Sequence, residues 1–115
     1  MILVDTSAWI EHFRHTDPIL AVALTDGQVG LHPFVIGELT LGTIPRRTTT
    51  LALLATLPCL TLSAHRDVVA FVDRYGLAGS GLGWVDVHLL CAARHAGWGV
   101  RTHDRRMRAV MTQLN

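Results

Sequence analysis

Ile2-Leu3-Val4 runs straight into Asp5, and a helical pattern begins at once, with no glycine or proline between them. A strand this short and this apolar has no polar face to show to water, so it belongs in the middle of a sheet covered on both sides. A strand that passes directly into a helix is the opening of an α/β fold, because a hairpin would need turn residues at that point. Trp9 and Phe13 stand four residues apart in the helix that follows, which puts them on one face.

The rest of the chain repeats this alternation. Asp17-Pro18 predicts a helix start, with Asp as cap and Pro at the first helical position, over residues 18–26 up to Gly27. Residues 29–31 predict a second strand, and Pro33 the start of a helix that ends near Gly42. A helix is expected over 45–57 and a strand over 60–62. Ser63 is expected to cap a helix over 64–75. Gly79-Ser80-Gly81-Leu82-Gly83 is a glycine-rich loop, followed by a helix over 84–95 closed by Gly97. A strand over 98–102 and a helix over 105–114 complete the pattern. The expectation is one α/β domain over residues 1–115, a short parallel sheet flanked by helices on both faces.

Composition narrows the chemistry. Half of the 115 residues are hydrophobic and 17% are charged, enough for a packed core. All ten cations are arginine, so mechanisms that need a lysine are excluded. The net charge of +1 hides an asymmetry: residues 1–38 carry five acids and one Arg (−4), residues 39–115 nine Arg and four acids (+5). Cys59 and Cys91 are too few for a disulfide scaffold and are expected to be reduced and buried. The apolar opening is too short for a signal sequence, and residues 48–64 are broken by threonines and Pro58. A soluble, cytoplasmic protein without a membrane segment is expected.

Four acids stand out. Asp5 and Asp104 each follow a predicted strand, at the carboxyl end where α/β sheets bind ligands. Either could equally cap the helix that follows it. Glu38 lies inside an apolar helical stretch, and Asp86 in the first turn of a helix among Trp84, Val85, Val87, Leu89 and Leu90. The helix dipole favours an acid at position 86, yet an inward acid needs a partner, and a metal is one candidate. Oxygen ligands converging in one cleft would take Mg²⁺ or Mn²⁺ and could promote attack on a phosphodiester. Arg101, Arg105, Arg106 and Arg108 cluster beside Asp104, and Arg46 and Arg47 stand near Glu38. Their planar forks suit phosphate, and a solvated helix face explains each one singly as well. The seven histidines show no zinc spacing, and the glycine loop matches neither G-x-G-x-x-G nor a P-loop.

Taken in order, these blocks resemble a known family. Met1-Ile-Leu-Val-Asp5-Thr6-Ser7-Ala-Trp9-Ile10 is similar to the opening of PIN-domain ribonucleases of the VapC toxin type. His32-Pro-Phe-Val-Ile-Gly-Glu38-Leu, Gly83-Trp-Val-Asp86-Val-His-Leu-Leu and Thr102-His-Asp104-Arg-Arg resemble the second, third and fourth acidic blocks. The resemblance implies a PIN-like fold in which Asp5, Glu38, Asp86 and Asp104 form an acidic pocket for Mg²⁺ or Mn²⁺, Asp5 and Asp86 foremost. It implies support by Thr6 or Ser7 and by Thr102, and endonucleolytic RNA cleavage leaving a 5′-phosphate and a 3′-hydroxyl. The implied substrates are tRNA or ribosomal RNA. The implied partners are a second copy of the chain and a VapB-type antitoxin that blocks the pocket and carries the operator-DNA-binding domain.

Rival readings diverge at single residues. A phospho-acceptor receiver domain needs a lysine near its pocket, and a haloacid-dehalogenase-like phosphatase needs an acid where Ser7 stands. A PIN-like nuclease of RNA processing, outside toxin–antitoxin systems, stays open from sequence. So does a non-catalytic PIN-like binding module, although all four acids are present.

Overall fold

The structure is a computed structural model and describes residues 1–114. Its order is β1 (Ile2–Val4), α1 (Thr6–Arg14), α2 (Pro18–Thr25), β2 (Val29–Gly30), α3 (Pro33–Leu41), α4 (Arg47–Leu54), α5 (His65–Arg74), α6 (Trp84–Ala96), β3 (Gly99–Arg101) and α7 (Arg105–Leu114). The three strands form one parallel sheet in the order β2-β1-β3. Ile2 pairs with both Val29 and Gly99, and Val4 with Arg101. The first strand of the chain is therefore the centre of the sheet, which explains its wholly apolar sequence; Leu3 and Val4 are fully buried.

Local signals set most boundaries. Asp17 caps α2 by accepting from the Ile19 N–H at 3.0 Å, with Pro18 at the first helical position. Gly97 ends α6 in the left-handed region at φ 71°. Trp9 and Phe13 stack at 6.0 Å between centroids, as their spacing predicts. In α6 seven consecutive residues, Val87 to Ala93, are buried, so this helix is covered on every side and forms the spine of the core. Gly30 is required by a close approach: the Trp98 ring lies where a Cβ would stand.

Four expectations are corrected. The strand over 60–62 is absent; only Cys59 bridges, to Leu31, with the Leu60 N–H donating to the Leu31 carbonyl at 2.8 Å. The segment has nothing further to pair with, because the chain beyond Leu31 turns into α3 at Pro33. The helix over 45–57 shrinks to Arg47–Leu54. Pro58 disfavours helical geometry at Leu57, and Thr56 and Leu57 close on shorter three-residue turns. Ser63 is not the cap of α5; Ala64 holds that position and offers no side-chain bond. Cys59 is exposed where burial was expected, while Cys91 is buried; both are free thiols. Among the described residues no helix is long and apolar enough to cross a membrane.

Candidate active site

Asp5 leaves the end of β1, where its own N–H donates to the Arg101 carbonyl of β3 at 3.0 Å. It occupies the cap position of α1, but its side chain makes no capping bond. Its Oδ2 instead accepts from Thr102 Oγ1 at 2.6 Å and from Ser7 Oγ at 3.0 Å, and the residue is only 6% exposed. Both hydroxyls serve twice. Thr102 Oγ1 accepts from the Asp104 N–H at 3.0 Å, and Ser7 Oγ from the His103 N–H at 3.0 Å. The ends of β1 and β3 and the start of α7 are thus sewn together around one carboxylate.

The other acids are held more lightly. Asp104 caps α7, its Oδ1 accepting from the Met107 N–H at 2.9 Å, and is exposed. Glu38, on α3 and exposed, accepts from Thr6 Oγ1 at 2.7 Å through Oε1. Asp86, in the first turn of α6, accepts from the Gly83 N–H at 3.2 Å. Burial pushes the Asp86 carboxyl above its ordinary range, and the charges of Asp5, Asp104 and Glu38 push it further; the Gly83 N–H opposes them. Four acids from four separate segments therefore act on a common region. Among the described residues, no three His, Cys, Asp or Glu side chains stand close enough to hold one metal ion as they are. The donor set is nonetheless all carboxylate oxygen, the chemistry that Mg²⁺ and Mn²⁺ select.

The arginines divide. Arg101 forms an ion pair with Asp17 at 2.6 Å. Burial pushes the Asp17 carboxyl up, but the Arg101 bond and charge outweigh it and hold Asp17 below its ordinary range. Arg47 donates to the Thr40 carbonyl at 2.7 Å, and Arg108 to the Thr102 carbonyl at 3.0 Å. Arg106 donates to the Gly81 carbonyl at 3.3 Å and lies across that glycine, which sits at φ 84°. Arg46 precedes α4 in the left-handed region at φ 47°. Arg105 is exposed at the start of α7.

The sequence excludes zinc spacing among the histidines and does not single out His32 or His88, yet these two shape the site. His32 caps α3: its Nδ1 accepts from the Phe34 N–H at 3.0 Å. Burial, with the His88 charge added, lowers its pKa to about 4, so the ring is neutral. His88 of α6 meets Phe34 edge to face at 4.8 Å and His32 at 6.4 Å. These rings are the contact between the helix that carries Glu38 and the helix that carries Asp86. The clue in the sequence was the His32-Pro33 pair, since His can stand in for Asn or Asp as a cap through Nδ1.

No protein-family profile matches the chain. Ribonuclease VapC32 of two Mycobacterium tuberculosis strains is 45% identical to it, over 98% of this chain and 92% of the relative. The solved structure of PAE2754 from Pyrobaculum aerophilum superposes with a TM-score of 0.69 at 18% identity, covering 95% of this chain and 83% of that one. That likeness shows the fold alone. With 45% identity to a VapC protein over nearly its whole length, the chain belongs to the VapC family of PIN-domain toxins.

Proposed function

We propose that the chain is a metal-dependent endoribonuclease, the toxin of a toxin–antitoxin pair. The observation that carries the reading is the raised Asp86 carboxyl facing three further acids. Such a cluster is costly without a cation, and acids of this kind gather at functional sites. The name of the VapC32 relative supplies the substrate class, RNA.

Asp5 and Asp86 would hold Mg²⁺ or Mn²⁺, with Asp104 and Glu38 completing the acidic wall. When bound, the ion supplies positive charge and Lewis acidity toward phosphate oxygens. Thr102 and Ser7 hold Asp5 in one orientation by donating to its Oδ2. Glu38, fixed by Thr6 through Oε1, keeps Oε2 to accept a proton from an attacking water. The products would carry a 5′-phosphate and a 3′-hydroxyl. The RNA would be a single-stranded loop of tRNA or ribosomal RNA, where bases are accessible. The exposed arginines, Arg46, Arg105 and Arg106, would meet its phosphates.

A VapB-type antitoxin would use a groove of about 440 Å³ beside Glu38, lined by Ile10, Phe13, Leu39, Ile44 and Pro45. Its apolar walls suit an apolar segment, and Glu38 at the wall would receive a basic side chain from it. A homodimer and operator binding through the antitoxin belong to the same reading.

The test is cleavage of total bacterial RNA by the purified chain with Mg²⁺, Mn²⁺ or EDTA, beside Asp86→Asn. Discrete products that need the metal and that the variant cannot make are expected. Folded, antitoxin-free protein that cleaves nothing under either metal would overturn the reading.

A further inference from the structure

Three tryptophans occupy three different settings. Trp9 is 2% exposed in the core, and Trp98 is half-buried against Gly30. Trp84 is 42% exposed although it opens the helix that carries Asp86. Its ring is propped. His88, four residues on and buried, meets it edge to face at 5.0 Å and 87°. His65, from the start of α5, meets it at 5.2 Å and 50°. His88 also meets Phe34 of α3 at 4.8 Å, so aromatic contacts run from the ring to α3. A large ring held this firmly and left open to water contributes little to the core, and it loses little conformational freedom when something lies on it.

Its position matters as much as its exposure. The Asp86 carboxylate folds back over the first turn of α6 to reach the Gly83 N–H, so carboxylate and indole flank the same helix end. A helix with its side chains is about 10 Å across, a distance that neighbouring nucleotides can span. The loop leading into Trp84 is held at Gly81, three residues before it, by the exposed cation of Arg106. An aromatic face and a cation beside an acidic centre is the arrangement that suits single-stranded RNA, whose unpaired bases stack and whose phosphates seek arginine.

We propose that Trp84, backed by His88 and flanked by His65, is a stacking platform for a nucleobase of the RNA next to the cleaved phosphate. The proposal rests on the ribonuclease reading and deepens it. Stacking accepts any base, so the platform holds and orients the strand while sequence is read elsewhere. It assigns Trp84 to substrate binding, with no part in the chemical step.

The test compares Trp84→Leu, Trp84→Phe and His65→Ala with the parent protein. Binding is read by anisotropy of a fluorescein-labelled mixed-sequence single-stranded RNA 12-mer in EDTA. Cleavage of the same RNA is read with Mn²⁺ as KM and kcat, and melting curves establish that each variant is folded. Trp84→Leu keeps apolar bulk and removes the ring; it is expected to weaken binding and raise KM about 10- to 100-fold, the scale of one lost stacking contact, with kcat nearly unchanged. Trp84→Phe is expected to stay within about threefold of the parent, since a ring is kept. His65→Ala leaves Trp84 on His88 and is expected to weaken binding by about threefold, a partial loss of the support.

Parental binding and KM in folded Trp84→Leu would overturn the proposal and leave the ribonuclease reading standing. So would a loss confined to kcat, or an equal loss in Trp84→Phe. A Trp84→Leu protein that handles RNA normally but no longer binds its antitoxin would overturn it in favour of a protein-docking role. A parent protein that neither binds nor cleaves RNA would overturn both readings together.

Discussion

The two halves of the acidic site are built on different principles. Asp5 is buried, and hydroxyls from α1 and from the end of β3 bind one of its oxygens. Asp86 and Glu38 each receive one hydrogen bond, and their positions depend on how α3 and α6 pack through His32, Phe34 and His88. One half is fixed by hydrogen bonds to the sheet, the other by the contact of two helices. The difference teaches where a cluster of like charges can adjust. Asp5 is held in place, and the helix-borne acids, with one hydrogen bond each, have more room to move.

The strongest way to break this contrast is to neutralise one acid in each half. Asp5→Asn and Asp86→Asn are both expected to lower RNA cleavage by at least about 100-fold, the scale of removing one preorganised charged group from an active site. Their stabilities should move in opposite directions. Asp5→Asn turns charge-assisted bonds into neutral ones and is expected to lose about 1–2 kcal/mol. Asp86→Asn removes a carboxylate that burial and its neighbours disfavour, so the metal-free protein should become more stable. Urea unfolding in EDTA measures both; destabilisation by Asp86→Asn would end the contrast.

Acid should weaken the contact between α3 and α6 through His32. The pKa of His32 is about 4 in the folded protein against 6.5 for the free side chain, so the unfolded chain binds the extra proton between those values. The His32 contribution is whole above about pH 6.5 and fades as pH falls toward 4, by up to about 3 kcal/mol. His32→Asn keeps a capping acceptor and removes the titration. Its unfolding free energy should fall less than the parent's between pH 7 and pH 5, and parallel curves would sink the assignment.

Smaller effects separate the fastenings. Thr102→Val keeps the shape, removes the 2.6 Å bond to Asp5 and leaves the Asp104 N–H without its acceptor. The expected cost is about 2 kcal/mol, with cleavage reduced about tenfold at unchanged metal preference. Thr6→Val releases only the more exposed Glu38 and should cost about 0.5–1 kcal/mol, with a threefold or so slower reaction. Equal losses in the two variants would show that both halves are equally fixed.

What the sequence disclosed follows the same division. Ile2-Leu3-Val4-Asp5, Asp17-Pro18 and Gly97 are local signals, in which neighbouring residues decide the backbone, and the structure keeps them. The strand expected over 60–62 failed because pairing depends on a partner edge, and that edge stops at Leu31. The four acids could be singled out by position. The hydroxyls that bind Asp5 could be assigned only through the family resemblance, because Thr102 lies 97 residues away and no periodicity links the two. His32 and His88 escaped notice for a related reason: a ring buried between two helices leaves no spacing to read.

The Asp5–Thr102 bond also has a meaning in time. A ribosome makes Thr102 97 residues after Asp5. The central strand cannot gain its β3 neighbour until residues 99–101 have emerged, and pairings of such long separation are slow to close. A growing chain therefore carries its first acid without the hydroxyl that orients it. The hydrogen bonds around Asp5 therefore form only once both distant segments exist.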